Sequence, residues 1–143
     1  MKPFDHYLRQ GDVHKVNPDR NLSRALLHDA FSRLRFAKKD AISDEDAKFI
    51  LENAYEAARE AADALLVQQG YKSCSHEATL AFLQRCPEIP EEELFTFDRL
   101  RRQRNDSKYL GKTVDADTAQ QALAFCERIV QIMEKLLRQA PER

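Results

Sequence analysis

Glycine is scarce in this chain, at 3 of 143 residues, and there are only 5 prolines. A β-rich fold needs more turn residues and more β-branched runs than occur here. No stretch approaches the roughly 20 apolar residues that would cross a membrane as a helix. The opening Met-Lys-Pro-Phe-Asp-His has no apolar signal region behind it. The chain is therefore expected to be cytoplasmic, with no membrane partner. The cysteines, Cys74, Cys86 and Cys126, are odd in number and form no C-x-x-C pair, so neither a disulfide framework nor a zinc site is implied. His6, His14, His28 and His76 are scattered, without an H-E-x-x-H spacing or a carboxylate cluster, so no metal is expected. His76 has no acidic or nucleophilic partner at a helical spacing and is expected at the surface rather than in chemistry. Internal repeats and low-complexity segments are also missing.

What is present favours helix. Charged residues make up 33% and hydrophobic ones 43%, with Ala, Leu, Glu, Arg and Lys dominant. The length suits one domain, residues 1–143, with a real core. Residues 1–16 are ambiguous: Phe4, Tyr7 and Leu8 suit a short helix that Gly11 would end. Asn17 and Pro18 read as N-cap and first residue of a helix running to about Lys39, with Leu22, Leu26, Leu27, Ala30, Phe31, Leu34 and Ala37 as its stripe. Ser43 caps the next, which carries an alanine-rich stripe from Ala47 to Leu66 and stops at Gly70. The short link 40–42 makes these two helices antiparallel neighbours. Ser75 caps a shorter helix, His76 to Gln84. Cys86-Pro87 and Ile89-Pro90 interrupt the chain. Pro90 as first helical residue, with Glu91, Glu92 and Glu93, opens a helix with Leu94, Phe97 and Leu100 on its apolar face, ending at Gly111. Asp115 or Thr118 starts the last helix, Thr118 and Gln121 matching a capping box. Its long stripe runs from Ala122 to Leu136 and includes Cys126 as a small core residue. Residues 139–143 read as a frayed tail. The predicted fold is all-α, an up-and-down bundle of four to five helices.

The chemistry-bearing stretch is Phe97–Leu110. Between Asp98 and Lys112 stand Arg99, Arg101, Arg102, Arg104, Lys108 and Lys112, opposed by Asp98 and Asp106, in a chain of net charge −1. Such concentration suits an anionic partner, RNA or a nucleotide. It equally suits a solvated helix face. Dipole compensation at a helix C-terminus asks for one or two such charges, not six. Asp98 can pair with Arg101 or Arg102 at helical spacing.

Arg104-Asn105-Asp106-Ser107-Lys108-Tyr109, near the end of a penultimate long helix in an all-helical chain, resembles the motif of the HEPN family (higher eukaryotes and prokaryotes nucleotide-binding): Arg, four to six residues, then His, often with Asn, Asp or His directly after the Arg. The helical pattern from about Asn17 to Leu137 is similar to that family, but Tyr109 stands where the family has His. The resemblance implies a homodimer whose two motifs face each other, and metal-independent RNA cleavage with the ribose 2′-OH as nucleophile, in a toxin or defence effector. Arg104 would then contact the phosphate, Asn105 would orient the site, and Tyr109 would take the histidine's place. Arg101, Arg102, Lys108 and Lys112 would bind RNA. No cofactor is implied. Tyrosine, with a pKa near 10, is a poor general base at neutral pH. The alternative is therefore a non-catalytic module that binds RNA or nucleotides, or a partner of a nucleotidyltransferase or antitoxin. A third reading is a helical interaction domain with no nucleic-acid role. Gly111 occupies the position where some family toxins carry a modifiable tyrosine, so that control is not implied.

Overall fold

A computed structural model describes residues 2–139. Among them the elements are α1 (Phe4–Gln10), β1 (Val13–Lys15), α2 (Arg20–Ala37), α3 (Ala47–Gln68), β2 (Tyr71–Ser73), α4 (His76–Leu83), α5 (Glu91–Leu110) and α6 (Ala116–Gln139). Four long helices form the all-α up-and-down bundle that the periodicity predicts. Of the tail expected to fray at 139–143, Gln139 is helical and the rest lies outside the described residues.

α3 is the central element and packs most extensively on α2 and α6. The reason lies in its sequence. Ala54, Ala57, Ala58, Ala61, Ala62 and Ala64 are all fully buried, and their small side chains let neighbouring helices approach closely. Ser23 Oγ donates to the Ala64 carbonyl (2.9 Å) and Arg33 to Asn53 (3.2 Å), so α2 and α3 run antiparallel. Gln68 Nε2 donates to the Leu137 carbonyl (3.1 Å) and brings the C-terminal ends of α3 and α6 together. Cys126 is a buried core residue, and burial pushes its thiol well above the ordinary range.

Several boundaries differ from the sequence reading. The N-cap of α2 is Asp19, not Asn17: its carboxylate accepts from the Leu22 amide (2.9 Å), a charge-assisted bond that an earlier start would forgo. Leu22, expected in the apolar stripe, is exposed. Ser43 Oγ accepts from the Asp46 amide (3.2 Å), but this caps a turn, and α3 proper begins at Ala47. Pro90 is the N-cap of α5, with extended backbone, and Glu91 is its first residue. Asp115, not Thr118, caps α6 by accepting from the Thr118 amide (2.8 Å). Ser75 caps α4 as expected, accepting from the Ala78 amide (3.1 Å).

The sheet was not foreseen. β1 and β2 pair antiparallel in the register Val13↔Ser73, His14↔Lys72, Lys15↔Tyr71. Strands of three residues carry too little periodicity to register as such. α1 closes over the same end: Phe4 is buried with its ring edge-on to Tyr71 (5.1 Å) and Phe82 (5.5 Å). The turn into β2 depends on Gly70, at φ 88°, where a Cβ would lie 2.8 Å from the Val16 carbonyl oxygen.

Candidate functional site

The inward face of α5 continues past its apolar residues. Leu94, Phe97 and Leu100 are buried, and the next step at helical spacing is Arg104. Its guanidinium lies over the Tyr55 ring, 4.6 Å from the centroid, and Nη2 donates to Glu56 of α3 at 3.3 Å. The Arg104 side chain is only 13% exposed, and its Nε is buried without a partner among the described residues. A stacked, planar guanidinium is the cation best suited to such a place.

Behind Tyr55 stands a residue that the sequence reading put at the surface. The His76 side chain is 8% exposed. Its Nδ1 is 3.1 Å from the Tyr55 hydroxyl and its Nε2 is 3.5 Å from Asp98. Folding supplies the acidic partner that sequence spacing did not. Burial, helped by the Arg101 charge, lowers His76 to about 4 against the pull of Asp98, so the imidazole is neutral at pH 7. Burial raises Tyr55 against the Arg104 charge. Burial would also raise Asp98, but hydrogen bonds from Arg102 and Arg101 outweigh it and hold the carboxyl below its usual value.

The basic stretch is largely neutralised within the domain. Asp98 accepts from both Arg101 (Nη2, 3.1 Å) and Arg102 (Nε, 3.1 Å), pairs that the spacing anticipated. Lys108 reaches Glu52 (3.4 Å) and Lys112 reaches Asp106 (3.7 Å). Asn105 is half-buried. Tyr109 is 67% exposed, with Lys108 Nζ 5.7 Å from its ring centroid. Residues five apart on an α-helix point roughly 140° apart, and Tyr109 accordingly faces solvent while Arg104 faces α3. The structure thus gathers Arg104, Arg101 and Arg102 around a Tyr55–His76–Asp98 core and leaves Tyr109 outside it.

Sequence reasoning missed Tyr55, Glu56, Glu52 and His76. They come from α3 and α4, far from the motif in the chain. The one usable signal was the phase of α5, where Phe97, Leu100 and Arg104 share a face. Among the described residues no group of His, Cys, Asp and Glu is arranged to hold a metal ion, and no helix is long and apolar enough to cross a membrane.

No curated protein matches the chain. The family model described as HEPN domain matches residues 23–136, from within α2 to near the end of α6. That span covers most of the sequence, includes the α5 motif and follows the helical bundle, and the chain accordingly belongs to the HEPN domain family.

Proposed function

We propose that this chain is a HEPN module that binds RNA or nucleotides without cutting them. The observation that carries the reading is the separation of Arg104 from Tyr109. Arg104 is committed to Tyr55 and Glu56, and Tyr109 stands in solvent on another side of the helix. A phosphate approaching Tyr109 would meet Lys108 but not the Arg104 guanidinium. The exposed cations Arg102, Lys108 and Lys112 then serve as a weak electrostatic surface, each diluted by a neighbouring carboxylate. The test is total RNA in EDTA, with wild type and Arg104→Ala. Neither should cleave. A labelled single strand should bind with an affinity whose logarithm falls by roughly 0.7 per phosphate neutralised for each logarithmic unit of salt. Cleavage by wild type that Arg104→Ala abolishes would overturn this reading.

That outcome would favour the second reading, a metal-independent endoribonuclease working as a homodimer, in a toxin or defence role, with Arg104, Asn105 and Tyr109 at a composite site. One observation speaks for it: a neutral histidine, His76, shares Tyr55 with Arg104. A neutral imidazole can accept the 2′-OH proton. His76 is nonetheless enclosed by Tyr55 and Asp98, which is why this reading stands second. Either function accommodates an antitoxin or nucleotidyltransferase as partner.

A further inference from the structure

We propose that the groove between α5 and α6 binds a single nucleoside phosphate, with Arg99 holding the phosphate. The ligand is either a free nucleotide or one unstacked residue of an RNA. The inference rests on the binding-module reading above and names where the ligand sits.

The first observation is the cavity. About 370 Å³ lies open between the two helices, walled by Thr96, Arg99 and Gln103 of α5 and by Thr118 and Gln121 of α6, with Phe125 at its base. Small-molecule pockets begin at about this size, roughly 300 Å³. No carboxylate lines it. The side-chain amides of Gln103 and Gln121 make no hydrogen bond to another described residue.

The second observation is the state of Arg99. Of the six cations between Asp98 and Lys112, Arg101, Arg102, Arg104, Lys108 and Lys112 each pair with an acid. Arg99 alone of the six has no acidic partner among the described residues, and it is exposed at the groove wall. An uncompensated guanidinium facing unengaged glutamine amides matches an anion that also carries hydrogen-bonding edges. Phosphate accepts the planar fork of arginine. A nucleobase offers donors and acceptors in fixed order, which glutamine, having both, can read. The apolar base of the groove gives the ring a surface to rest on.

The size of the ligand follows from the neighbourhood. The groove runs toward a second hollow of about 240 Å³ that shares Gln103 and Thr118 but adds Asp106 and Asp115 together with Lys112, which pairs with Asp106 (3.7 Å). With Lys112 taken up by Asp106, the Asp115 carboxylate leaves that hollow net negative and disfavours a further phosphate, so the groove suits one nucleotide better than an extended polyanion along its length.

The experiment uses the full chain, titrated with AMP, GMP, CMP, UMP and adenosine by calorimetry, and with a fluorescein-labelled eight-residue single-stranded RNA by anisotropy. A mononucleotide that binds and displaces the RNA identifies one shared site. Arg99→Ala should weaken binding roughly ten- to hundredfold, the scale of a hydrogen bond to a charged group, and adenosine should show the same loss relative to AMP. Arg99→Lys should fall between. Gln121→Ala should reorder the preference among the four bases. Arg99 is exposed, so its variants should keep the wild-type circular dichroism and melting temperature. RNA binding that depends on Arg99, with no free mononucleotide bound, supports the site and assigns it to RNA. RNA binding that survives Arg99→Ala but is lost in Arg102→Ala and Lys112→Ala overturns the groove and leaves the binding-module reading standing. Mononucleotide affinity unchanged by Arg99→Ala overturns it too. Absence of any binding overturns both.

Discussion

At the scale of single residues, two titratable groups, the enclosed His76 and the half-buried Asp63, act in opposite directions. His76 has a folded pKa of about 4, below its ordinary 6.5, because burial and the Arg101 charge disfavour the imidazolium. Its contribution to stability is complete above pH 6.5 and is lost as the pH falls toward 4. Asp63, on α3, pairs with Arg59 at 3.2 Å, yet burial outweighs that pair and raises it from 3.8 to about 6. Its contribution is present below about pH 4 and is lost as the pH rises through 6. Between pH 4 and 6 the two slopes oppose each other. Urea unfolding in half-unit steps should therefore show His76→Gln gaining stability toward acid relative to wild type, and Asp63→Asn losing it. Superimposable pH profiles for all three proteins would refute the assignment. The same residues show how much of the site was legible in the sequence. The basic stretch, the pairing of Asp98 with Arg101 and Arg102, and the helix stop at Gly111 could all be read from spacing. The inward turn of Arg104 needed the phase of α5. Burial of His76 could not be read at all, since Tyr55 and Asp98 stand 21 and 22 positions from it in opposite directions along the chain.

At the scale of elements, the caps and turns carry distinct costs. Gly70 and Gly111 both adopt positive φ, 88° and 67°. A side chain in that region costs roughly 1–2 kcal/mol at either. At Gly111 a Cβ meets nothing within 4 Å, so Gly111→Ala should lose only that amount. At Gly70 the Cβ would also press on the Val16 carbonyl, which accepts no relief because the Val16 amide is already bonded to the Gly70 carbonyl (2.9 Å). Gly70→Ala should therefore destabilise by more than Gly111→Ala, by at least about 1 kcal/mol. Equal midpoints in denaturant would contradict this. The helices themselves were legible because their apolar stripes are long and regular. The ends were less so, since aspartates competed with nearby Asn17 and Thr118 for the capping role and won by offering a charged acceptor. The strands escaped notice because their pairing joins residues about 58 apart in sequence.

At the scale of the whole molecule, stability is unevenly distributed. α3 is buried along most of its length between α2 and α6, whereas beyond Leu100 the only buried residue of α5 is Ser107. Amide exchange should accordingly be slowest in α3 and markedly faster over residues 101–110, a ratio that mass spectrometry of deuterated peptides would read directly. Equal protection would mean that the motif half of α5 is held by more than its ion pairs. The small sheet bears on how far the folding unit reaches. The family match begins at Ser23, yet Phe4 and Val13 cover Tyr71, Phe82 and the backbone of residues 71–73. A polypeptide trimmed to the matched span would keep every helix of the motif and still expose an open strand edge beside uncovered aromatic rings, the combination that templates sticking between copies. Residues 2–22 thus cover that edge and those rings, and the packed unit reaches beyond the span that the family match draws.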